Sequence, residues 1–252
     1  MIEERSSELA PAASVHLMLQ GKGGVGKSLC SAFLAQFLNS VRDTPTTCID
    51  TDPNNQTFCG YAGLNVSPVS LLDGPRVNER RFDELMERLL TESGTFVIDN
   101  GSSSFLPLSN YLVENQAFSM LRGAGRQIFI HTVVTGGQAL VDTMSGFNAL
   151  GRNMAEGSDM VVWVNEFFGP IERDGKNFAE MRAYKENASK VRGVVRIPRR
   201  NPDTFGRDVE AMAAQRLTFE QVDADPRFSI MSKQRLRTIQ RELFMQLTEL
   251  DF

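Results

Sequence analysis

The chain has 252 residues, 41% of them hydrophobic, which suits one large α/β domain or two small ones. Its 27 Lys and Arg against 31 Asp and Glu give a net charge of -4, which argues against a histone-like blanket affinity for nucleic acid but permits a local basic patch. Cys30, Cys48 and Cys59 have no Cys-x-x-Cys spacing, so neither a zinc site nor a redox pair is indicated. Cys30 and Cys48 read as small core residues in a reducing cytoplasm.

The first 14 residues carry Glu3, Glu4 and Glu8 and lack an apolar core, so they read as a flexible lead-in and not a signal peptide. No apolar run approaches the length of a bilayer span. Residues 15–19 are a short apolar strand. They run into Gln20-Gly21-Lys22-Gly23-Gly24-Val25-Gly26-Lys27-Ser28, and residues 28–38 have helical character. Gly, four residues, Gly, Lys, Ser between a strand and a helix is the phosphate-binding P-loop pattern. Glycines let backbone N–H groups turn inward on an anion, and the helix N-terminus adds partial positive charge. Gly23, Gly24, Val25, Gly26, Lys27, Ser28 and Leu29 are the expected nucleotide contacts. Lys27 suits the β- and γ-phosphates, and the Ser28 hydroxyl suits Mg²⁺.

Residues 46–50 are a strand ending in Asp50-Thr51-Asp52-Pro53, two acids at a tip that faces the phosphate site; Asp-Pro is equally a common turn pair. Residues 58–72 read as loops and short helical pieces. Residues 78–93, with Phe82, Leu85, Met86, Leu89 and Leu90 at helical spacing, predict a packing helix. Residues 95–99 are a strand ending in Asp99, the Walker B pattern, in which the carboxylate holds a Mg²⁺-bound water. A helix is expected over 107–121 and a buried strand over 126–134, followed by another helix. His16 and His131 read as hydrogen-bonded core residues without a role. Residues 159–165 form a strand with Asn165 at its tip, followed by Phe167, Phe168 and Pro170. Residues 191–197 form the last strand, before Pro198, Arg199 and Asn201. Lys185, Lys190, Arg192, Arg196, Arg199 and Arg200 are the densest basic cluster, suited to DNA phosphates or to a solvated surface. The last helix carries Leu236, Ile239, Leu243, Leu247 and Leu250 as a stripe, which suits a helix docked on its own domain better than a membrane-surface helix.

The alternation predicts a single α/β domain with a doubly wound, mainly parallel sheet and one nucleotide site at the carboxyl edge of its strands. The expected boundaries are a lead-in over 1–14, a P-loop domain over 15–227 and a C-terminal helix packed on it over 228–252.

Lys-Gly-Gly-Val-Gly-Lys-Ser from Lys22 resembles the deviant Walker A ATPases, the ParA, MinD and arsenite-pump type. The resemblance implies an ATP-sandwich homodimer in which Lys22 of one copy reaches the nucleotide of the other. It implies that Asp52 orients the attacking water, that Asp50 lies near Mg²⁺ with Ser28 and Asp99, and that Asn165 reads adenine with Pro198 and Arg199 nearby. Asn100-Gly101-Ser102-Ser103-Ser104 departs from the proline-rich switch of many relatives. Longer stretches, among them His-Thr-Val-Val-Thr-Gly-Gly-Gln-Ala-Leu from His131, are similar to the TraL/StbB family of plasmid conjugal-transfer and stability proteins. That similarity implies a cytoplasmic, ATP- and Mg²⁺-dependent ATPase of plasmid conjugation or positioning, or an ATP-binding adaptor with little turnover. Implied partners are a second copy, a DNA-binding companion or conjugation component, and non-specific DNA, with membrane contact disfavoured.

Overall fold

The computed structural model describes residues 13–43, 45–73, 76–78, 80–154 and 159–252. Most of the expected lead-in, residues 1–12, lies outside them. The main sheet has seven strands: β1 (Ser14–Met18), β2 (Thr47–Asp50), β3 (Ser67–Pro68), β4 (Phe96–Asp99), β5 (Gln127–Thr135), β6 (Asp159–Asn165) and β7 (Val191–Ile197). Their order is β7-β6-β5-β1-β4-β2-β3, and every neighbouring pair is parallel. Parallel strands need crossovers, and the helices that supply them cover both faces. The five residues of β1 are all buried, as the centre of such a sheet requires.

One layer packs α1 (Lys27–Val41), α7 (Arg207–Ala214), α8 (Phe219–Ala224) and α9 (Ile230–Thr248) around Phe33, Phe37, Leu38 and Trp163. The opposite layer packs α2 (Arg81–Thr91), α3 (Phe105–Glu114) and α4 (Ala117–Gly123) against Val15, Leu17, Ile49 and Ile98. Beside it, α5 (Leu140–Asn153) and α6 (Arg182–Asn187) cover Met160, Val162 and Val164. Leu236, Ile239, Leu243 and Leu247 of α9 are buried in the first layer. Each is worth about 1.5–3 kcal/mol of burial, so the apolar stripe of α9 is committed to its own core. Among the described residues, no helix is long and apolar enough to cross a membrane.

Two local differences from the sequence expectations have clear causes. The helix expected over 107–121 is two helices, because Gln116 takes a left-handed backbone (φ 52°) and the Asn115 amide donates to the Tyr111 carbonyl at 3.0 Å. The strand β3 was not expected. It lies at the sheet edge, the one place where Pro68 need not donate to a ladder. Before it, 58–64 forms two 3₁₀ turns that bury Phe58, Tyr61 and Leu64.

Both histidines join a buried chain of hydrogen bonds across the sheet. Trp163 Nε1–H can only donate, and it donates to His131 Nδ1 at 3.1 Å. His131 must therefore carry its proton on Nε2, which bonds His16 Nδ1 at 3.0 Å. His16 Nε2 in turn bonds the Ser14 hydroxyl at 3.0 Å, which donates to Thr95 at 3.3 Å. Every proton in the chain has one place, and an added proton would break it. Burial pushes His131 down to about 3, and burial with the neighbouring His131 holds His16 well below the usual histidine range. With both folded-state values depressed, the pair contributes stability that is full above about pH 6.5 and is lost as pH falls below it. Asp99, raised in the fold, acts in the opposite direction over part of that range. The histidines are the only two in the chain, so NMR separates the effects. Their ring signals should not move between pH 8 and 5 in the folded protein, and both should titrate near 6.5 in urea; titration near 6.5 in the folded protein would refute the assignment.

Candidate nucleotide site

Strand register assembles the site. Asp50 at the end of β2 pairs with Asp99 at the end of β4, and Asp99 pairs with Met18 of β1, two residues before the P-loop begins. On the other side, Thr135 pairs with Asn165, and Asn165 with Ile197 next to Pro198. Residues from six strands thus meet at one edge beside a cleft of about 720 Å³. Gly23, Gly24, Gly26, Lys27, Ser28, Leu29, Asp52, Asn165, Pro198 and Arg199 line it.

The P-loop curls as its glycines allow. Gly26 has φ 98°, and a Cβ there would sit 3.0 Å from Asn165 Nδ2. Lys27 is 8% exposed and donates to the Lys22 carbonyl at 3.1 Å. Burial lowers its pKa, while Asp99 and Asp52 oppose the shift. A cation held this way favours an incoming anion. The Ser28 hydroxyl donates to Asp99 Oδ2 at 2.6 Å, and Ser31, one turn along α1, donates to Oδ1 at 2.9 Å. Burial, with a contribution from Asp50, raises Asp99 to about 7 against the two hydroxyls and Lys27. A carboxylate so strained by desolvation favours a cation beside it. The donor set therefore fits a magnesium nucleotide: Lys27 and the loop for the phosphates, Ser28 and Asp99 for the metal and its waters. Among the described residues no three His, Cys, Asp or Glu side chains converge as a metal cage, which is compatible with Mg²⁺ held largely by waters and phosphate oxygens.

The remaining acids brace the segment after β2. Asp50 accepts from the Asp52 N–H at 2.9 Å and the Cys59 N–H at 3.0 Å, so each of its oxygens is engaged by backbone. Burial raises its pKa against these bonds. Asp52 Oδ1 accepts from Asn54 at 2.9 Å and Asn55 at 3.0 Å, a capped turn at the rim of the cleft. Asn165 donates to the Val25 carbonyl at 3.0 Å and accepts from Phe167 N–H at 3.1 Å, so its amide holds the P-loop. Phe167 and Phe168 are 42% and 54% exposed at the mouth. Lys22 pairs with Asp142 of α5 at 2.7 Å, both half exposed. Of the basic cluster, Lys190, Arg192 and Arg200 are tied to Gly151, Asp159 and Glu242, while Arg196 and Arg199 lie exposed.

Sequence reading missed four contributors. Gly101 follows the Asp99 strand, and a Cβ there would come within 2.6 Å of Asp52 Cγ, so only glycine lets that carboxylate lie against the turn. Asn100 accepts from Thr51 at 3.0 Å and Ser104 at 2.9 Å, joining the two acidic loops. Gln20, fully buried, donates to the Val133 carbonyl at 2.9 Å and the Thr143 carbonyl at 3.2 Å, fixing α5 against the start of the P-loop. Ser31 alone had a readable signal, its three-residue spacing from Ser28 on one helix face.

Two Escherichia coli proteins named TraL match 235 residues of the chain, at 48% and 46% identity, each match covering 93% of this chain and 97% of the relative. The chain belongs to the TraL family. No protein-family model matches it. Among solved structures, a plasmid partition protein from Borrelia burgdorferi is similar at 12% identity with a TM-score of 0.47, covering 94% of this chain and 99% of that one. A chain of the MinC:MinD cell division complex of Aquifex aeolicus is similar at 15% identity and TM-score 0.48, covering 92% and 96%. A ParA family ATPase from Chlorobium tepidum is similar at 13% identity and TM-score 0.47, covering 90% and 99%. These three are distant likenesses. Membership of the TraL family rests on the sequence match, which runs through the P-loop, both acidic strand ends and Asn165.

Proposed function

We propose that this TraL-family chain is a Mg²⁺-dependent ATPase that works as a nucleotide-driven dimerisation switch in plasmid conjugation or plasmid positioning. One observation carries the reading: a buried lysine and a buried, raised aspartate bonded to the P-loop serine stand at one sheet edge. The first seeks an anion and the second a cation, which together describe a magnesium triphosphate. In this reading Lys27 binds the phosphates, Ser28 and Asp99 position the metal with Asp50 behind them, and Asp52 orients the attacking water. Leu29, Pro198 and Arg199 flank the rest of the nucleotide. Bound Mg²⁺ supplies charge stabilisation for phosphoryl transfer.

Lys22 supports the dimer part. An exposed pair such as Lys22–Asp142 is worth about 0–1 kcal/mol, so a triphosphate on a second copy would readily draw the ammonium away. The plasmid setting comes from the family alone, and so do the candidate partners: DNA, a DNA-binding companion or a conjugation component. A second reading, an ATP-binding adaptor with little turnover, is favoured by Asp52, whose Oδ1 caps a turn in this arrangement. Light scattering with ATP and Mg²⁺ tests the switch. The protein should double in mass with ATP, and Lys22→Ala should stay monomeric while still binding ATP. A wild-type protein that stays monomeric at saturating nucleotide refutes the dimer.

A further inference from the structure

Away from the nucleotide cleft, a second groove of about 240 Å³ opens between the start of α5 and the chain that follows β6. Its apolar floor is Leu140, Val141 and Met144 of α5 with Met181, and Val141 is 51% exposed. Its other wall is a two-stranded antiparallel hairpin, Glu172–Arg173 paired with Lys176–Asn177. Asp174 and Gly175 take left-handed backbones at the tip (φ 53° and 71°), the two-residue turn that suits the twist of a hairpin. Residues 172–177 are all exposed, whereas Ile171 before them and Phe178 after them are buried in the same core as Leu140 and Met181. The Phe178 ring centroid lies 5.9 Å from that of Phe147 of α5, and the Asn177 side chain caps the 3₁₀ turn Phe178–Glu180. The hairpin is thus fixed to α5 at its base while none of its own residues is buried in the core.

The charges on this wall are not arranged for stability. Arg173 and Lys176 stand directly opposite each other across the hairpin, on one face, and like charges in that position destabilise a strand pair. Arg182 of α6 is a third cation of the lining, against one acid, Asp174. Arg173 meets Asp174 only at 3.7 Å and Arg182 pairs with Glu186, but both pairs are exposed and screened by water. Lys176 has no ion-pair partner among the described residues. An apolar floor beside unneutralised cations fits an anionic chain that also carries aliphatic side chains, and the two methionines of the floor adapt to varied shapes. Among the described residues no aromatic ring lines the groove for a base to stack on, so a peptide fits it better than a nucleic-acid strand. We propose that this groove docks an acidic segment of a partner protein, its aliphatic side chains entering between α5 and the hairpin and its carboxylates meeting Arg173, Lys176 and Arg182. None of these residues lines the nucleotide cleft, and docking here requires no bound nucleotide.

Fluorescence anisotropy on the full chain tests this with a short labelled peptide of glutamates carrying leucines at helical spacing. Control peptides have lysine for every glutamate or serine for every leucine, and a labelled oligothymidylate represents single-stranded nucleic acid. The acidic peptide should bind the wild type, and both control peptides should bind at least about tenfold more weakly. The double variant Arg173→Glu/Lys176→Glu should lose about tenfold or more in affinity for the acidic peptide and gain affinity for the lysine peptide, because the sign of the rim is reversed. Val141→Glu, which puts a carboxylate on the floor without touching the hairpin, should also weaken the acidic peptide. All three positions are exposed, so both variants should keep the wild-type melting temperature. Failure of the acidic peptide to bind, equal binding of either control peptide, or a double variant that binds the acidic peptide as well as the wild type does overturns the proposal. Oligothymidylate binding that the double variant loses, with no binding of the acidic peptide, overturns it in favour of nucleic acid.

Discussion

Lys27→Ala should bind ATP at least on the order of a hundredfold more weakly than the wild type and show no measurable turnover. Charge-assisted hydrogen bonds contribute about 1.5–3 kcal/mol each, and this ammonium is placed to serve two phosphates. The ligand-free protein should lose no stability. Its lysine is buried at a desolvation penalty, which lowers its pKa, and among the described residues its ammonium donates to the Lys22 carbonyl. The measurement is a thermal melt with and without MgATP. Wild type should gain stability from the ligand by mass action, and Lys27→Ala should melt at the wild-type ligand-free temperature under both conditions. A variant that still shifts with ATP would mean that the phosphates sit somewhere other than this loop.

Asp52→Ala should separate binding from hydrolysis. Losing a group that positions the reacting water lowers the rate by about 10²–10⁴-fold, while Lys27, Ser28 and Asp99 still hold the nucleotide. The expected product is a long-lived ATP-bound dimer, seen by light scattering, with phosphate release reduced to background. If Asp52→Ala releases phosphate at the wild-type rate, Asp52 only caps its turn. If the wild type itself releases almost none, alone or with DNA, the adaptor reading takes over. Gly101→Val provides an independent approach to the same carboxylate. A side chain there meets Asp52 at 2.6 Å, so turnover should fall although no acid has been removed.

The P-loop was legible because its chemistry is local. Glycines that permit a left-handed turn, a lysine and a serine at fixed spacing, and a strand and helix on either side are properties of consecutive residues. The same holds for the apolar strands ending in Asp50, Asp99 and Asn165, since a buried parallel strand needs a continuous apolar run and its tip can be polar. From these alone the α/β class and the edge that carries the site follow.

What stayed hidden depends on which strands become neighbours. Asp50 comes to Asp99, and Asp52 comes to lie on Gly101, only through the register of β2 with β4; no spacing along the chain encodes a distance between residues some fifty positions apart. The bonds from Trp163 through His131 and His16 to Ser14 need three strands side by side, so two histidines without local context become one buried chain. The Asn165 amide turns to the P-loop carbonyl of Val25 because β6 ends beside it, a preference the residue type does not announce. Tyr61, in a segment that reads as irregular, reaches the cleft because the 3₁₀ turns carry it there. Local conformational preference lies in adjacent residues, whereas pairing, close approach and the satisfaction of buried polar groups arise only when distant segments are packed together.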